Sequence, residues 1–207
     1  MSLFIMNLMI LKTIKTIMNK PAPKELTVIH KHQISPHMLR ITLTLADQMA
    51  WSPGCYVKLL VPPSYVPEGR SVKRTYTARS FDPKSQELAI DFAIHQPAGP
   101  GTSWALEAEV GSKIEIMGPG RLKTDPSQGD WYLFAGDMSA LPAALSVLES
   151  LPKDAKGYAF FEITDAQDQQ ALHIPEGIEV QWIVHPNPKV RSDQQLKAIQ
   201  QIAMMPG

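Results

Sequence analysis

The sequence predicts a molecule of two parts, an all-β first half that forms a closed antiparallel barrel or a sandwich and a second half that begins a parallel α/β sheet. Two observations carry this prediction. Six short strand patterns follow one another between residues 26 and 117, with turn signals about every 8–12 residues. After residue 130 the order changes to strand, helix, strand, which is typical of a parallel sheet.

The first half is predicted from alternation and turn residues. Residues 38–45 alternate between a mixed face and a face of leucine and isoleucine, which indicates a half-buried strand. One helix is predicted at 102–109, after the glycine- and proline-containing loop 98–101, and the proline-rich stretch 62–69 is predicted as a loop. The predicted strands are 26–31, 37–46, 55–61, 72–80, 87–95 and 112–117.

The second half is predicted from apolar runs and helical stripes. Leu141, Leu145 and Leu148 share one face of a predicted helix, with Pro142 in its first turn, where proline is tolerated. Gly136 ends the first strand of this half, and the carboxyl ends of parallel strands form a ligand crevice. Because the sequence stops at residue 207, we expect a small sheet with one poorly covered face. The predicted strands are 130–135, 157–163 and 178–184, and the predicted helices are 140–150 and 193–203.

Composition excludes several classes of protein. The formal net charge is zero, with 20 basic and 20 acidic residues, which argues against general nucleic-acid binding. The single cysteine, Cys55, excludes an internal disulfide and fits a reducing compartment. The sequence contains no His-x-x-x-His and no cysteine pair, so we predict no metal site.

The amino-terminal residues 1–17 are apolar and rich in methionine. Lys12 interrupts this run before it reaches the ~20 residues that a membrane span requires. No signal-peptide pattern is present. We interpret the segment as an extension, with Met18 as the natural start, and the alternative is a short amphipathic surface helix.

Residues 74–79, Arg-Thr-Tyr-Thr-Ala-Arg, end a basic stretch. Five basic residues stand against one acidic residue between positions 56 and 79, a formal local charge of +4. Strand alternation puts Arg74 and Tyr76 on one face and Thr75 and Thr77 on the other. A ring that stacks, a guanidinium that pairs with phosphate and a hydroxyl that donates to a ring atom suit a flat, anionic ligand. The alternative is an ordinary solvated strand.

A second candidate site lies at the start of the predicted helix 102–109. The loop Gly99-Pro100-Gly101 leads into Thr102 and Ser103. A helix start offers free backbone N–H groups and the positive end of the helix dipole, which suit a phosphate. The same residues also form an ordinary helix-starting loop, so this motif alone leaves both interpretations open.

Seven motifs now stand in a recognisable order, and with them the chain resembles the siderophore-interacting protein family. Those proteins look like FAD-containing ferric-siderophore reductases related to ferredoxin–NADP reductases. The resemblance implies a six-stranded antiparallel Greek-key β-barrel that binds FAD, residues 21–123, after an extension at 1–20 that we expect to be poorly ordered. A truncated, parallel-sheet α/β domain that resembles NAD(P)-binding domains follows at 124–207. The motifs are residues 34–42, 54–59, 74–79, 91–95, 99–105, 118–120 and 135–143.

The resemblance also implies residue roles. Tyr76 packs on the flavin and Thr77 hydrogen-bonds near the ring nitrogen that receives hydride, so both are the expected catalytic residues. Arg74 and the turn at Thr102 and Ser103 hold the pyrophosphate. Lys58 and Arg121 are expected to bind an anionic ferric siderophore, with Arg79 and Lys123 as weaker candidates. The full expected cofactor set is Arg74, Thr75, Tyr76, Thr77, Asp91, His95, Gly101, Thr102, Ser103, Gly136 and Asp137.

The implied activity is hydride transfer from NADPH or NADH to FAD, followed by single-electron transfer to Fe(III), which releases iron from the siderophore. A ferredoxin-like donor stays open. The alternatives are a general FAD-containing reductase with another acceptor and a truncated, non-catalytic flavin- or siderophore-binding protein. The family's second domain normally continues through another strand, a helix and a final strand, so the nicotinamide site is expected to be incomplete. We expect a cytoplasmic monomer.

Overall fold

The protein is described here from a computed structural model, which covers residues 22–46, 48–66, 71–122 and 125–202. The predicted extension at 1–20 and the candidate Lys123 lie outside these residues. No helix within them is long and apolar enough to cross a membrane. Ten strands and three α-helices are described: β1 (Lys24–Ser35), β2 (Met38–Thr44), β3 (Tyr56–Val61), β4 (Val72–Thr77), β5 (Ser80–Asp82), β6 (Glu87–Ala93), α1 (Pro100–Glu107), β7 (Lys113–Gly120), β8 (Tyr132–Gly136), α2 (Leu141–Leu148), β9 (Lys156–Ile163), β10 (Gly177–Val184) and α3 (Gln194–Gln200).

The first seven strands form one antiparallel sheet in the order β4-β3-β7-β1-β2-β6-β5. β4 and β5 are the two edge strands of this sheet, and the chain passes directly from one to the other, so that the two edges come together and the sheet closes into a barrel. Ala78 N donates to Cys55 O at 2.9 Å, beside β3, and Arg79 N donates to Ala89 O at 2.9 Å, on β6. The predicted single strand 72–80 is therefore two strands, since no straight strand can pair with both edges.

Alternation places the barrel core where the sequence predicts it. Leu39, Ile41 and Leu43 of β2 are buried, and the residues between them, Arg40 and Thr42, are partly exposed. β1 is longer than predicted, with 12 residues and two register irregularities against β2. Bulges of this kind increase strand bending, as a closed sheet requires. Trp104 of α1 is buried in the same core.

The second unit is a parallel sheet in the order β10-β9-β8. Helix α2 buries Leu141, Leu145 and Leu148 against it, as the helical spacing predicts. Helix α3 contains no buried residue, and Leu196 of its predicted apolar stripe is 55% exposed. One face of the sheet is therefore only partly covered, and the predicted fold class, an antiparallel barrel followed by a small parallel sheet, is confirmed. The predicted boundaries at residues 21 and 124 stay predictions.

Candidate functional site

Strand β4 presents the Arg-Thr-Tyr-Thr residues on two faces. Arg74 lies opposite Leu59 of β3, and Tyr76 lies opposite Val57. Both partners are fully buried, so Arg74 and Tyr76 share the inner face of the barrel wall. Directly opposed residues of antiparallel strands project to the same side. Thr75 and Thr77 therefore lie on the outer face, as the sequence predicts.

Arg74 combines an exposed guanidinium with little local pairing. Its Nη1 donates to the carbonyl oxygen of Lys73 at 3.1 Å, the one hydrogen bond of this guanidinium within the described residues. Four of its five N–H donors therefore remain for a ligand. An exposed arginine on an edge strand is thus available for an anion.

Tyr76 is held against the start of helix α1. Its ring centroid is 4.4 Å from that of Phe92, at an interplanar angle of 44°. A Cβ atom at Gly101 would lie 2.4 Å from Tyr76 Oη, so only glycine permits this close approach. Burial raises the pKa of Tyr76, while a hydrogen bond with Thr102 and the charge of Arg74 act in the opposite direction. The phenol therefore stays protonated at neutral pH.

The amino terminus of α1 provides free backbone donors next to Tyr76. Gly99 is the N-cap residue, and no side chain caps the helix. Pro100 has no N–H, and Ser103 N donates to Gly99 O at 2.8 Å. Gly101 N and Thr102 N are left as orphan donors of the first turn. Because Gly101 and Thr102 are buried and contact Tyr76, the structure brings this phosphate-type turn and β4 together.

Asp91 lies in a buried ion network instead of in an open site. Its carboxylate accepts from Arg40 Nε at 2.6 Å and from Arg40 Nη2 at 2.8 Å. Arg79 Nε lies 3.8 Å from the same carboxylate and makes no hydrogen bond, while the two terminal nitrogens of Arg79 bind Glu149 at 2.6 and 2.8 Å. The hydrogen bond with Asp91 raises the pKa of Arg40 against the effect of its burial. Arg79 thus joins the barrel to Glu149 at the end of α2, and the predicted contact of Asp91 with a flavin stays a prediction.

Three predicted residues line or border a different feature, a cleft of about 740 Å³ between the barrel and the carboxyl ends of the parallel strands. His95 lines it from the barrel side, and its Nδ1 lies 2.9 Å from the carbonyl oxygen of Pro97. Asp137 lines it from the other side, with its Oδ1 accepting from the backbone of Ser139 and Ala140. Gly136 permits close strand-to-helix packing, because a Cβ there would lie 2.6 Å from that of Ala140.

The two predicted substrate-binding residues, Lys58 and Arg121, are on the barrel and are not among the described residues that line this cleft. Lys58 is exposed on β3, opposite Thr75 and Met117. Arg121 is exposed directly after β7, and its charge acts on Cys55, whose pKa is raised by burial. Lys58 is thus on the outer wall beside β4, where Thr75 also lies, and Arg121 is exposed at the end of β7, which pairs with β3.

Sequence reasoning missed a buried carboxylate that joins the two units. Asp168, at the end of the 3₁₀ turn Ala166–Asp168, is fully buried and binds Ser35 and His37 of the barrel. Its partners are more than 130 residues away in the sequence, so no local pattern marks it. The cleft residue His185 was also missed, although its place just after β10 is a signal, since parallel strands end at ligand sites.

The fold, an antiparallel barrel followed by a small parallel sheet, is one that solved structures share. The chain superimposes on ferredoxin–NADP⁺ reductase from Plasmodium falciparum with a TM-score of 0.66 at 11% identity, covering 86% of this chain and 79% of that one. This likeness shows the shared fold of a barrel followed by a parallel sheet.

The family follows from closer relatives. Residues 129–207 match the siderophore-interacting protein family, and residues 63–123 match the siderophore-interacting FAD-binding domain. A siderophore utilization protein from T. fusca is 32% identical, with a TM-score of 0.79 over 90% of this chain and 78% of that one. Ferric vibriobactin reductase ViuB of Vibrio cholerae is 34% identical over 78% of this chain, which spans 66% of the length of ViuB. The chain belongs to the siderophore-interacting protein family, and the match to its FAD-binding domain confirms the predicted cofactor.

Proposed function

We propose that this protein is a flavin-dependent reductase of ferric siderophores that takes its electrons from NADPH or NADH. The observation that carries the proposal is the contact between Tyr76 and Gly101. It sets an aromatic ring, the exposed Arg74 and the uncapped start of α1 side by side. A dinucleotide with a flat ring and a pyrophosphate needs these three groups together.

The residues present fit FAD. Arg74 and the N–H groups of Gly101 and Thr102 would hold the pyrophosphate, the first by a charged hydrogen bond and the others through the helix start. Tyr76 would pack on the flavin ring, and Thr77 would donate its hydroxyl to the ring edge. Ser103 would add a polar contact at the start of α1, whereas Thr75 lies on the outer face of β4 and its contact with FAD stays a prediction. When bound, FAD supplies the conversion between two-electron hydride chemistry and one-electron transfer to Fe(III).

The proposed acceptor is an anionic ferric siderophore, at the level of the class. One relative is named a reductase of ferric vibriobactin, and the exposed cations Lys58 on β3 and Arg121 after β7 suit an anionic chelate. Siderophore oxygens bind Fe(II) more weakly than Fe(III), so reduction releases the metal. The proposed site of the nicotinamide donor is the cleft at the ends of β8–β10, with His95, Gly136 and Asp137 at its border. A cytoplasmic location and a monomeric state stay predictions.

The decisive experiment starts with an absorbance spectrum of the purified protein with added FAD. We expect a bound-flavin spectrum, bleaching of its visible band on anaerobic addition of NADPH or NADH, and recovery when a ferric siderophore is added with a ferrous trap. Protein that binds no FAD contradicts the proposal at its base. Bleaching without iron reduction indicates a reductase with another acceptor, and FAD binding without bleaching indicates a non-catalytic protein.

A further inference from the structure

The second feature that joins the two units is a buried, fully hydrogen-bonded carboxylate. Asp168 Oδ1 accepts from Ser35 Oγ at 2.7 Å and from His37 N at 2.9 Å. Asp168 Oδ2 lies 2.8 Å from His37 Nδ1 and accepts from Asp165 N at 2.9 Å. Burial opposes ionisation of this carboxyl, but the hydrogen bonds from Ser35, His37 and Asp165 outweigh it and lower the pKa of Asp168. The group is therefore an ionised acceptor at neutral pH.

This carboxylate fixes the ring of His37. An ionised carboxylate can only accept, so His37 Nδ1 carries a proton and donates it to Asp168. The backbone of His37 is fixed as well, because its N–H donates to Asp168 and its carbonyl oxygen accepts from Ile94 N at 2.9 Å. The free ring nitrogen of the neutral imidazole, Nε2, is then an acceptor. The side chain is 35% exposed and lines the cleft.

His37 shares the cleft with other titratable groups, which differ in how they are held. His95 is exposed, and its Nδ1 faces a neutral carbonyl, that of Pro97. His185 Nδ1 lies 3.9 Å from Glu162, beyond hydrogen-bond distance. His37 is the cleft histidine with a short contact to a buried, ionised partner, the arrangement that orients an imidazole as a proton acceptor. The other charged or titratable residues around the cleft are His95, Asp137, Glu162, His185, Lys189 and Arg191.

The proposed reaction requires such an acceptor. Each nicotinamide gives up two electrons and one proton as hydride, and two Fe(III) centres take the electrons only. The balance is NAD(P)H + 2 Fe(III) → NAD(P)⁺ + 2 Fe(II) + H⁺, so one proton per turnover must be passed to solvent. We propose that His37 accepts this proton at Nε2 and passes it to solvent through the cleft, with Asp168 as the positioning residue. This inference rests on the proposed function.

The test separates proton release from iron chemistry by using hexacyanoferrate(III), which takes one electron and no proton. FAD-loaded protein is reduced anaerobically with one equivalent of dithionite and mixed with the oxidant in weak buffer containing a pH indicator. In wild-type protein, proton release should follow flavin reoxidation. In His37→Gln both should slow by at least ~10-fold, since a positioned acid–base group contributes about 10²–10⁴-fold.

Two controls distinguish a proton path from a structural contact. Ser35→Ala removes one hydrogen bond to Asp168 and leaves the His37 contact in place, so it should lower stability and keep the wild-type rate of proton release. His37→Ala should regain speed when imidazole is added. Both His37 variants are to be compared with wild type in FAD affinity and circular dichroism, which the proposal expects to be unchanged.

A further measurement uses the apo protein and needs no bound flavin. Nitrogen-15 NMR of labelled histidine should show His37 as the tautomer with its proton on Nδ1, and Asp168→Asn should weaken that preference. A proton on Nε2 in wild type, or a His37→Gln protein that reoxidises and releases its proton at the wild-type rate, overturns the proposal. Reduction of hexacyanoferrate(III) without reduction of ferric siderophores contradicts the proposed function and leaves the proton path supported.

Discussion

Replacement of Asp91 by alanine should destabilise the fold by about 3 kcal/mol and leave the FAD site in place. The carboxylate is 2% exposed and takes two hydrogen bonds from Arg40, at 2.6 and 2.8 Å. Its removal leaves Arg40 unpaired and takes the nearest carboxylate from Arg79 Nε, which is already without a hydrogen bond. Breaking a buried ion pair from one side typically costs about 3–5 kcal/mol. We expect the lower end, because the Arg40 side chain keeps 33% of its surface in water.

Urea unfolding of the apo protein, followed by circular dichroism, measures this change. Arg40 and Asp91 are directly opposed on β2 and β6, so the double variant Arg40→Leu/Asp91→Leu is the matched control. It should lose less stability than Asp91→Ala, since it leaves no buried charge unpaired on that strand pair. If Asp91→Ala costs less than ~1 kcal/mol and sharply weakens FAD binding, the carboxylate is a ligand group and the structural interpretation is wrong.

Three further predictions concern the proposed FAD site and the contact of Asp168 with the barrel. Arg74→Ala should weaken FAD binding by about 1.5–3 kcal/mol in calorimetry if the guanidinium makes a charged hydrogen bond, and unchanged affinity removes Arg74 from the site. Gly101→Ala should displace the Tyr76 ring and weaken FAD binding by more than ~10-fold, about 1.4 kcal/mol. Gly99→Ala is the control and should bind FAD as wild type does, because a Cβ at Gly99 meets nothing within 4 Å. Equal effects of the two substitutions would contradict the proposed FAD site at Tyr76 and the start of α1. The pKa of Asp168 is lowered in the folded state, so its ionised form stabilises the fold above the unfolded pKa of about 3.9, and this stabilisation is lost as pH falls below that value. In Asp168→Asn the free energy of unfolding should therefore fall less steeply with decreasing pH. An unchanged pH dependence would assign acid unfolding to other groups.

The parts of the fold that the sequence predicts are those decided by local patterns. Alternation in 38–45 reflects burial of one face of β2, and the spacing of Leu141, Leu145 and Leu148 reflects one face of α2. The split between β4 and β5 was missed because it depends on closure of the barrel. A residue pattern carries no information on which edge a strand will meet.

The site was predictable to the same extent. The residues of β4 and the start of α1 were proposed as a site because their chemistry is visible over a few positions, and the structure brings them together, while their binding of FAD stays a prediction. Asp91 shows the limit, since its partner Arg40 comes 51 residues earlier and is brought to it only by the register of β2 with β6. The contact between His37 and Asp168 spans 131 residues. The motifs therefore predicted where a side chain lies in the chain, but not which other residue already pairs with that side chain.

Two ionic contacts, beside a buried hydrogen bond from Gly54 N to Ser146 Oγ at 3.1 Å, join the two units around the cleft. One runs from Asp91 through Arg79 to Glu149 at the end of α2, and the other runs from Ser35 and His37 to Asp168, after β9. Apolar packing adds to these contacts, since Met38 of β2 is buried in the same cluster as Leu141 and Phe161 of the second unit. Opening the Asp168 contact would leave a buried, ionised carboxylate without its hydrogen-bond partners, which is costly. We therefore expect the cleft that His37 lines to be largely preformed before a donor binds.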